Sequence, residues 1–446
     1  MRFLALAALA LVAGAAPANV NVSRLAGPQT EPAIAVDPHD DAILLAGSNS
    51  VQEGTMRIYT SSDGGQTWQT RTADEPPADL LASCASDPGV AIDLRGRQYY
   101  SFGRAAPCRA DEPQRIYIVT RDGPDAEWSA PRLVAPLGRA RFDDKPAIAV
   151  DNSPVSRFRG RVYLAWTRVA RDTSFIVVLT HSDDGGKTWS KPVRANRTGR
   201  ELTYVSVATS RNGSVYVAWN DVGEFSLQLA RSTDGGAHFG PQARVASFAG
   251  ITIPHCGSGL VIPALPRTCV NPNPIVSVDG SAGPYAGRVY VSYGRTEFRG
   301  NQAAHVAVFT HTLQRLYRDP DTRQGRPVAL APAGSHAEQF WVQSAVDQTT
   351  GVVWVCYYDT LGDLRRKRAH FTCTASRSGG RTWLKPIPAA SSPSDATQPG
   401  ATGGYGYYEG LAAGHDAAYP IWTDTRDLAG AGEEIYTTRL TLASFR

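Results

Sequence analysis

The chain is 446 residues long and carries a formal net charge of only +4. So small an excess, spread along the chain, leaves no electrostatic footprint for nucleic acid, and no nucleic-acid partner is expected. Its 42 glycines and 30 prolines, with no long amphipathic pattern, exclude a helical architecture and leave short strands separated by turns.

Residues 1–18 read MRFLALAALALVAGAAPA: one arginine, an apolar run, then small residues around Ala16-Pro17-Ala18. This is the pattern of a signal peptide cleaved near Ala18, so the mature protein is expected to be secreted or periplasmic. The run is too short for a membrane anchor, and no later segment is apolar enough to span a bilayer. Residues 19–446 are expected to form one domain and to act as a monomer.

From residue 31 onward one unit recurs at intervals of about 56 to 70 residues. Its clearest copy is PAIAVD at 146–151 followed by GRVYLAWTR at 160–168. Versions of it stand at 31–49, 88–104, 204–221, 274–295, 342–359 and 409–424, which makes seven. Each copy has a second half of two further strands, as in SFIVVLTHSDDGGKTWSKPVR at 174–194. Four short antiparallel strands repeated radially predict an all-β fold, a β-propeller of seven four-stranded blades. The last unit has two inner strands and a third, EEIYTTRLTL at 433–442, so VNVSRL at 20–25 is expected to supply its outer strand and close the ring. The densest basic run, Arg365-Arg366-Lys367-Arg368, reads as a solvated loop beside a strand.

Six cysteines fall into three local pairs, Cys84 with Cys108, Cys256 with Cys269 and Cys356 with Cys373, each within one repeat. An even number in an exported chain predicts disulfides. The histidines are scattered and no CxxC occurs, so no metal site is expected. No twelve-residue calcium loop is present either, and no cofactor is expected.

The turns between third and fourth strands carry a pattern of their own. Ser61 to Trp68 (SSDGGQTW) and Ser182 to Trp189 (SDDGGKTW) fit S-x-D-x-G-x-T-W, and Ser232 to Phe239 (STDGGAHF) is a near match. The aspartate caps local N–H groups, glycine supplies positive φ, and the aromatic ring packs beneath. In these motifs the chain resembles the Asp-box (BNR-repeat) sialidase superfamily of secreted β-propellers. The resemblance implies that Asp63, Trp68, Asp184, Trp189 and Asp234 are structural and lie on the face opposite the active site.

The same resemblance implies where chemistry sits: on residues just before the innermost strands and just after the second ones. Gly406 to Leu411 (GYYEGL) is similar to the neighbourhood of the sialidase nucleophile, which makes Tyr408 the expected nucleophile. Glu201 or Glu338 would be its base, since a neutral phenol is a poor nucleophile. Asp144, or else Asp87, would be the general acid. Arg104, Arg168, Arg295 and Arg426 follow second strands and would clamp a substrate carboxylate. The expected activity is therefore that of a sialidase-like exo-glycoside hydrolase, and the expected partner is an extracellular or periplasmic glycan or glycoconjugate. The stretch Gly27 to Pro32 lacks the arginine that opens most sialidases. This keeps two alternatives open: a non-catalytic glycan- or protein-binding propeller, and a polysaccharide lyase on uronate-containing glycans.

Overall fold

The repeat PAIAVD…GRVYLAWTR folds as two antiparallel strands, Phe142–Val150 and Val162–Val169, with Phe175–Ser182 and Val193–Arg194 added outward. The second strand is buried along nearly its whole length. It reads as a continuous apolar run because neighbouring sheets cover both of its faces. Tyr163, Ala165 and Leu179 of this sheet, for example, share one core with Val217, Trp219 and Ala230 of the next.

Seven such sheets form the propeller in this computed structural model, which describes residues 18–72, 84–105, 112–199, 201–248, 259–297, 300–317, 326–327 and 336–446. Blades one to six span 29–72, 84–133, 142–194, 202–247, 275–327 and 339–388, each with four strands in chain order. Blade seven is built from both ends of the chain. Gly410–Ala413, Ala417–Asp424 and Glu434–Thr437 are followed outward by Val20–Asn21, with Val20 opposite Thr437 and Asn21 opposite Tyr436. Leu440–Thr441 then pairs back onto Ala417 and Ala418. The closure expected from VNVSRL therefore forms. Val22 is 1 % exposed and joins Ile34 and Leu44 of blade one and Ile421 and Ile435 of blade seven in one core.

Residues 1–17 lie outside the described residues, so the expected signal peptide does too, apart from Ala18. Among the described residues no helix is long and apolar enough to cross a membrane. Cys356 and Cys373 face each other across adjacent strands and are disulfide-bonded. Cys269 is disulfide-bonded as well. Its expected partner Cys256, the side chain of Cys84, and Cys108 lie outside the described residues.

The Asp-boxes are turns at one end of the propeller. Asp184 Oδ1 accepts from the N–H groups of Lys187 and Thr188 at 3.0 and 2.9 Å, and Oδ2 accepts from the Thr188 hydroxyl at 2.6 Å. Asp63 repeats the arrangement, and Asp234 holds the N–H and ring of His238 in the same way. One element lies outside the repeat: a hairpin, Leu260–Ile262 and Leu265–Val270, inserted before blade five. Its Ile262, Leu265 and Val270 pack against Phe340 and Trp341 of blade six and Tyr405 of blade seven.

Candidate active site

Five innermost strands share one departure from regular pairing, at the end opposite the Asp-boxes. In blade one Thr30 pairs with Asn49 and Ala33 with Gly47, so Glu31 and Pro32 together oppose one residue. The same bulge holds Asp87-Pro88 in blade two, Lys145-Pro146 in blade three, Tyr204-Val205 in blade four and Trp341-Val342 in blade six. The first residue of each pair is left-handed, with φ of 58°, 62°, 51°, 51° and 51° in that order. None is glycine, and three precede proline, which adds its own restriction. Such backbone costs on the order of 1–3 kcal/mol per residue and concentrates at ligand sites. A bulge also bends its strand and re-aims a side chain. Here it turns Asp87, Lys145 and Tyr204 into one axial cavity of about 230 Å³, which Asn273, Tyr408 and Glu409 also line.

Lys145 is the centre of the site. Its ammonium pairs with Asp87 Oδ1 at 2.9 Å and lies 5.3 to 5.4 Å from the ring centroids of Tyr204, Tyr407 and Tyr408. The Tyr408 hydroxyl donates to the same Asp87 oxygen at 3.3 Å. Asp87 Oδ2 accepts from Ser86 at 2.7 Å, and its backbone N–H donates to Asn49, whose amide donates to Glu31 at 2.6 Å. Asp144 accepts from Gln114 at 3.2 Å. Tyr204 receives a hydrogen bond from Asn271, and Asn273 donates to the Tyr407 carbonyl, so the segment leaving the hairpin braces both tyrosines. Trp341 of blade six packs against Tyr407, ring to ring at 6.4 Å.

One ammonium thus serves three carboxyls. Burial pushes the Glu31 carboxyl up to about 7, even though Lys145 pulls it down. Burial, then the charge of Asp87, pushes Asp144 up to about 6. Burial works to lower Lys145, but Asp87, Glu31 and Asp144 outweigh it and hold the ammonium charged well above its usual range. Burial followed by Asp87 and Glu31 pushes the Tyr408 phenol well up, so it is neutral at rest. The cavity wall accordingly carries a neutral phenol hydrogen-bonded to Asp87 and one fixed cation, while Glu31 and Asp144, two carboxyls that can carry protons near neutral pH, stand beside Lys145 outside the cavity lining.

The other residues singled out in the sequence are placed elsewhere. Glu338 is fully buried in blade six, where it accepts from the Gln302 N–H at 2.7 Å and pairs with Arg366 at 2.7 Å. Glu201 is exposed on the rim of blade four beside Gly223. Tyr408 bonds to neither. Arg168 is gripped by both oxygens of Asp143, at 2.7 and 2.8 Å, and Arg426 by both oxygens of Asp424, at 3.0 and 2.7 Å. Arg104 is buried over the ring of Tyr117, and Arg295 lies 3.8 Å from Glu297. None of the four lines the axial cavity. Glu409, next to Tyr408, is buried between two blades, accepting from the Tyr358 hydroxyl of blade six at 2.8 Å and from the Thr423 N–H of its own blade at 2.9 Å. Sequence reasoning put Glu31, Lys145 and Tyr204 among the residues just before the innermost strands, on the functional face, but gave neither them nor Tyr407 a chemical role. The signal that could have singled out Glu31 and Lys145 is the repeated charged-residue–proline step, Glu31-Pro32, Asp87-Pro88 and Lys145-Pro146, at the same point of three units; no such step marks Tyr204 or Tyr407.

The family described as BNR repeat-like domain matches residues 15–247. No curated protein matches the chain. Among solved structures, the fold is similar to a Hadza microbial sialidase, with 15 % identity over 94 % of this chain and 66 % of that one and a TM-score of 0.50. A Dyadobacter fermentans protein of unknown function matches with 15 % identity over 95 % of this chain and 97 % of that one, at a TM-score of 0.52. A mutant of Trypanosoma rangeli sialidase displaying trans-sialidase activity matches with 12 % identity over 97 % and 60 %, at 0.50. The chain therefore spans less than two thirds of the length of either sialidase. At these identities the likeness is one of fold.

Proposed function

The chain belongs to the BNR repeat-like domain family, and from that premise we propose that its axial cavity is the active site of a sialidase-like exo-glycoside hydrolase acting on a terminal, carboxylated sugar. The observation that carries this reading is the hydrogen bond from Tyr408 to Asp87 beside Lys145. Asp87 takes the phenol proton as the Tyr408 oxygen attacks the anomeric carbon, and Asp144 gives its proton to the departing glycosidic oxygen. Water then attacks the anomeric carbon, giving its proton to Asp144, and Tyr408 leaves with Asp87 returning the proton to the phenol oxygen. A neutral nucleophile suits a sugar whose anomeric carbon bears a carboxylate, because an attacking carboxylate would be repelled. Lys145 is the cation available to that substrate carboxylate, in place of an arginine cluster. The cavity, about 230 Å³, is smaller than pockets for drug-sized ligands and suits one ring rather than an internal stretch of polymer.

The test is a fluorogenic screen of α-sialosides, uronides and neutral glycosides on the wild type and Tyr408→Phe. Turnover of an acidic glycoside that disappears in the variant is the expected result. Turnover unchanged in Tyr408→Phe removes the nucleophile from the scheme. Binding of an acidic sugar without turnover of any substrate assigns the cavity to a glycan-binding propeller instead.

A further inference from the structure

We propose that the loop following strand Val353–Asp359 of blade six is a docking element for an anionic lipid bilayer, holding the mouth of the axial cavity against the membrane surface. The loop is firmly shaped. The Asp363 carboxylate accepts the backbone N–H groups of Arg365, Lys367 and Arg368 at 3.2, 2.9 and 2.8 Å. Arg366, left-handed at φ 54°, ties the loop inward through Glu338. What the loop presents outward is then fixed: Leu361 at 48 % and Leu364 at 101 % exposure, with Arg365, Lys367 and Arg368 exposed around them. Among the described residues none of these three cations forms a salt bridge, although Lys367 exerts a minor pull on Asp395.

A fully exposed leucine flanked by cations is the chemistry of an interfacial anchor: the apolar tip enters the headgroup layer and the charges meet anionic lipid. A soluble acidic polymer would use the cations but has no need of Leu361 and Leu364. The position agrees. Asp359 pairs with Gln339, at the mouth end of the innermost strand, and Glu338 stands three residues before Trp341, which packs on Tyr407. The same end of the propeller exposes further apolar side chains at turn tips, Val51 in blade one, Phe225 in blade four, Val261 in the hairpin and Tyr407 in blade seven. Apolar tips gathered on one face mark an interaction surface.

The inference is independent of catalysis and is tested by co-sedimentation with vesicles of phosphatidylcholine, with and without phosphatidylglycerol. The full chain should partition onto the phosphatidylglycerol vesicles and be released by salt. The triple variant Arg365→Gln, Lys367→Gln, Arg368→Gln should bind roughly a hundredfold more weakly, at about fivefold per cation. The double variant Leu361→Ser, Leu364→Ser should also lose at least about tenfold. Tyr408→Phe should bind as the wild type does, so a failed catalytic scheme leaves this result standing. Two outcomes overturn the proposal. One is no partitioning of the wild type. The other is partitioning that is indifferent to the leucines and abolished by soluble polygalacturonate, which identifies an acidic-polymer site.

Discussion

Arg161 of blade three donates from Nη1 to the carbonyl of Gly235, inside the Asp-box of blade four, at 3.0 Å. Its other nitrogens pair with Asp183 of its own blade at 2.7 Å each. The latch recurs: Arg97 reaches Gly185 at 2.6 Å and Arg288 reaches Gly379 at 2.7 Å, each one blade onward. The arginine of the repeated Gly-Arg step thus recognises the turn of its neighbour. The Asp-box is therefore part of the contact between blades as well as a rigid turn.

Arg161→Met is expected to lower unfolding free energy by about 1–3 kcal/mol, the range for a charge-assisted bond to a carbonyl. Urea unfolding should show it, with turnover of a small glycoside unchanged. The cost of Arg288→Met should add to it, because those two latches share neither a residue nor a turn.

Lys145→Met should be far more damaging. It leaves Asp87, Glu31 and Asp144 around an empty centre, and removing one partner of a buried ion pair costs about 3–5 kcal/mol. The loss should be largest near pH 8. It should shrink toward pH 5, where Glu31 and Asp144, raised to about 7 and about 6, hold their protons and need no cation. Thermal melts across that range provide the measurement, and a pH-independent loss would contradict the shared-ammonium arrangement.

The proposed chemistry predicts an alkaline limb in the rate profile. Asp144 donates only while protonated, and its carboxyl is raised to about 6, so kcat/KM should fall as pH rises through about 6. Asp144→Asn should reduce turnover by 10²–10⁴-fold and abolish that limb, with less effect on substrates whose leaving group needs no proton. A limb that persists in Asp144→Asn transfers the acid role to Glu31.

Removing residues 19–25 should cost about 5 kcal/mol. The deletion gives up the burial of Val22, worth about 2 kcal/mol, and several hydrogen bonds near 1 kcal/mol each. Among these are Val22 N–H to Ile435, Ser23 to the Ile435 N–H, and Asn19 to Ala389 and Ser391. A deletion as stable as the parent would mean that blade seven is held by its three inner strands alone.

The blades, their closure and the Asp-boxes were legible because each depends on local periodicity or turn chemistry that repeats along the chain. The site was legible only in outline. Asp144, Asp87 and Tyr408 could be placed near the mouth from repeat register, but the bulges could not be read. Left-handed Glu31, Asp87, Lys145 and Tyr204 carry no glycine to announce themselves, and the sheet imposes their backbone. The arginines show the converse. Arg168 looks free on the rim of a sequence, yet Asp143 is its direct partner across the ladder. Only the register fixed by the neighbouring bulge sets that carboxylate opposite it. The hairpin at 260–270 went unread because it belongs to no repeat.

Blade seven carries a further consequence. Six blades are continuous stretches of covalent chain, whereas the seventh is joined to Val20–Asn21 by non-covalent contacts only: backbone pairing, side-chain hydrogen bonds and the packing of Val22. The ring therefore has a seam, and its two sides are the earliest and latest segments of the propeller in chain order. Blades one to six can form in sequence as they emerge, but circular continuity arrives only when Thr437 reaches Val20. Until then blades one and seven each present an uncovered face. The seam is where the molecule would open under load or at the onset of unfolding, and where a covalent staple would harden it most.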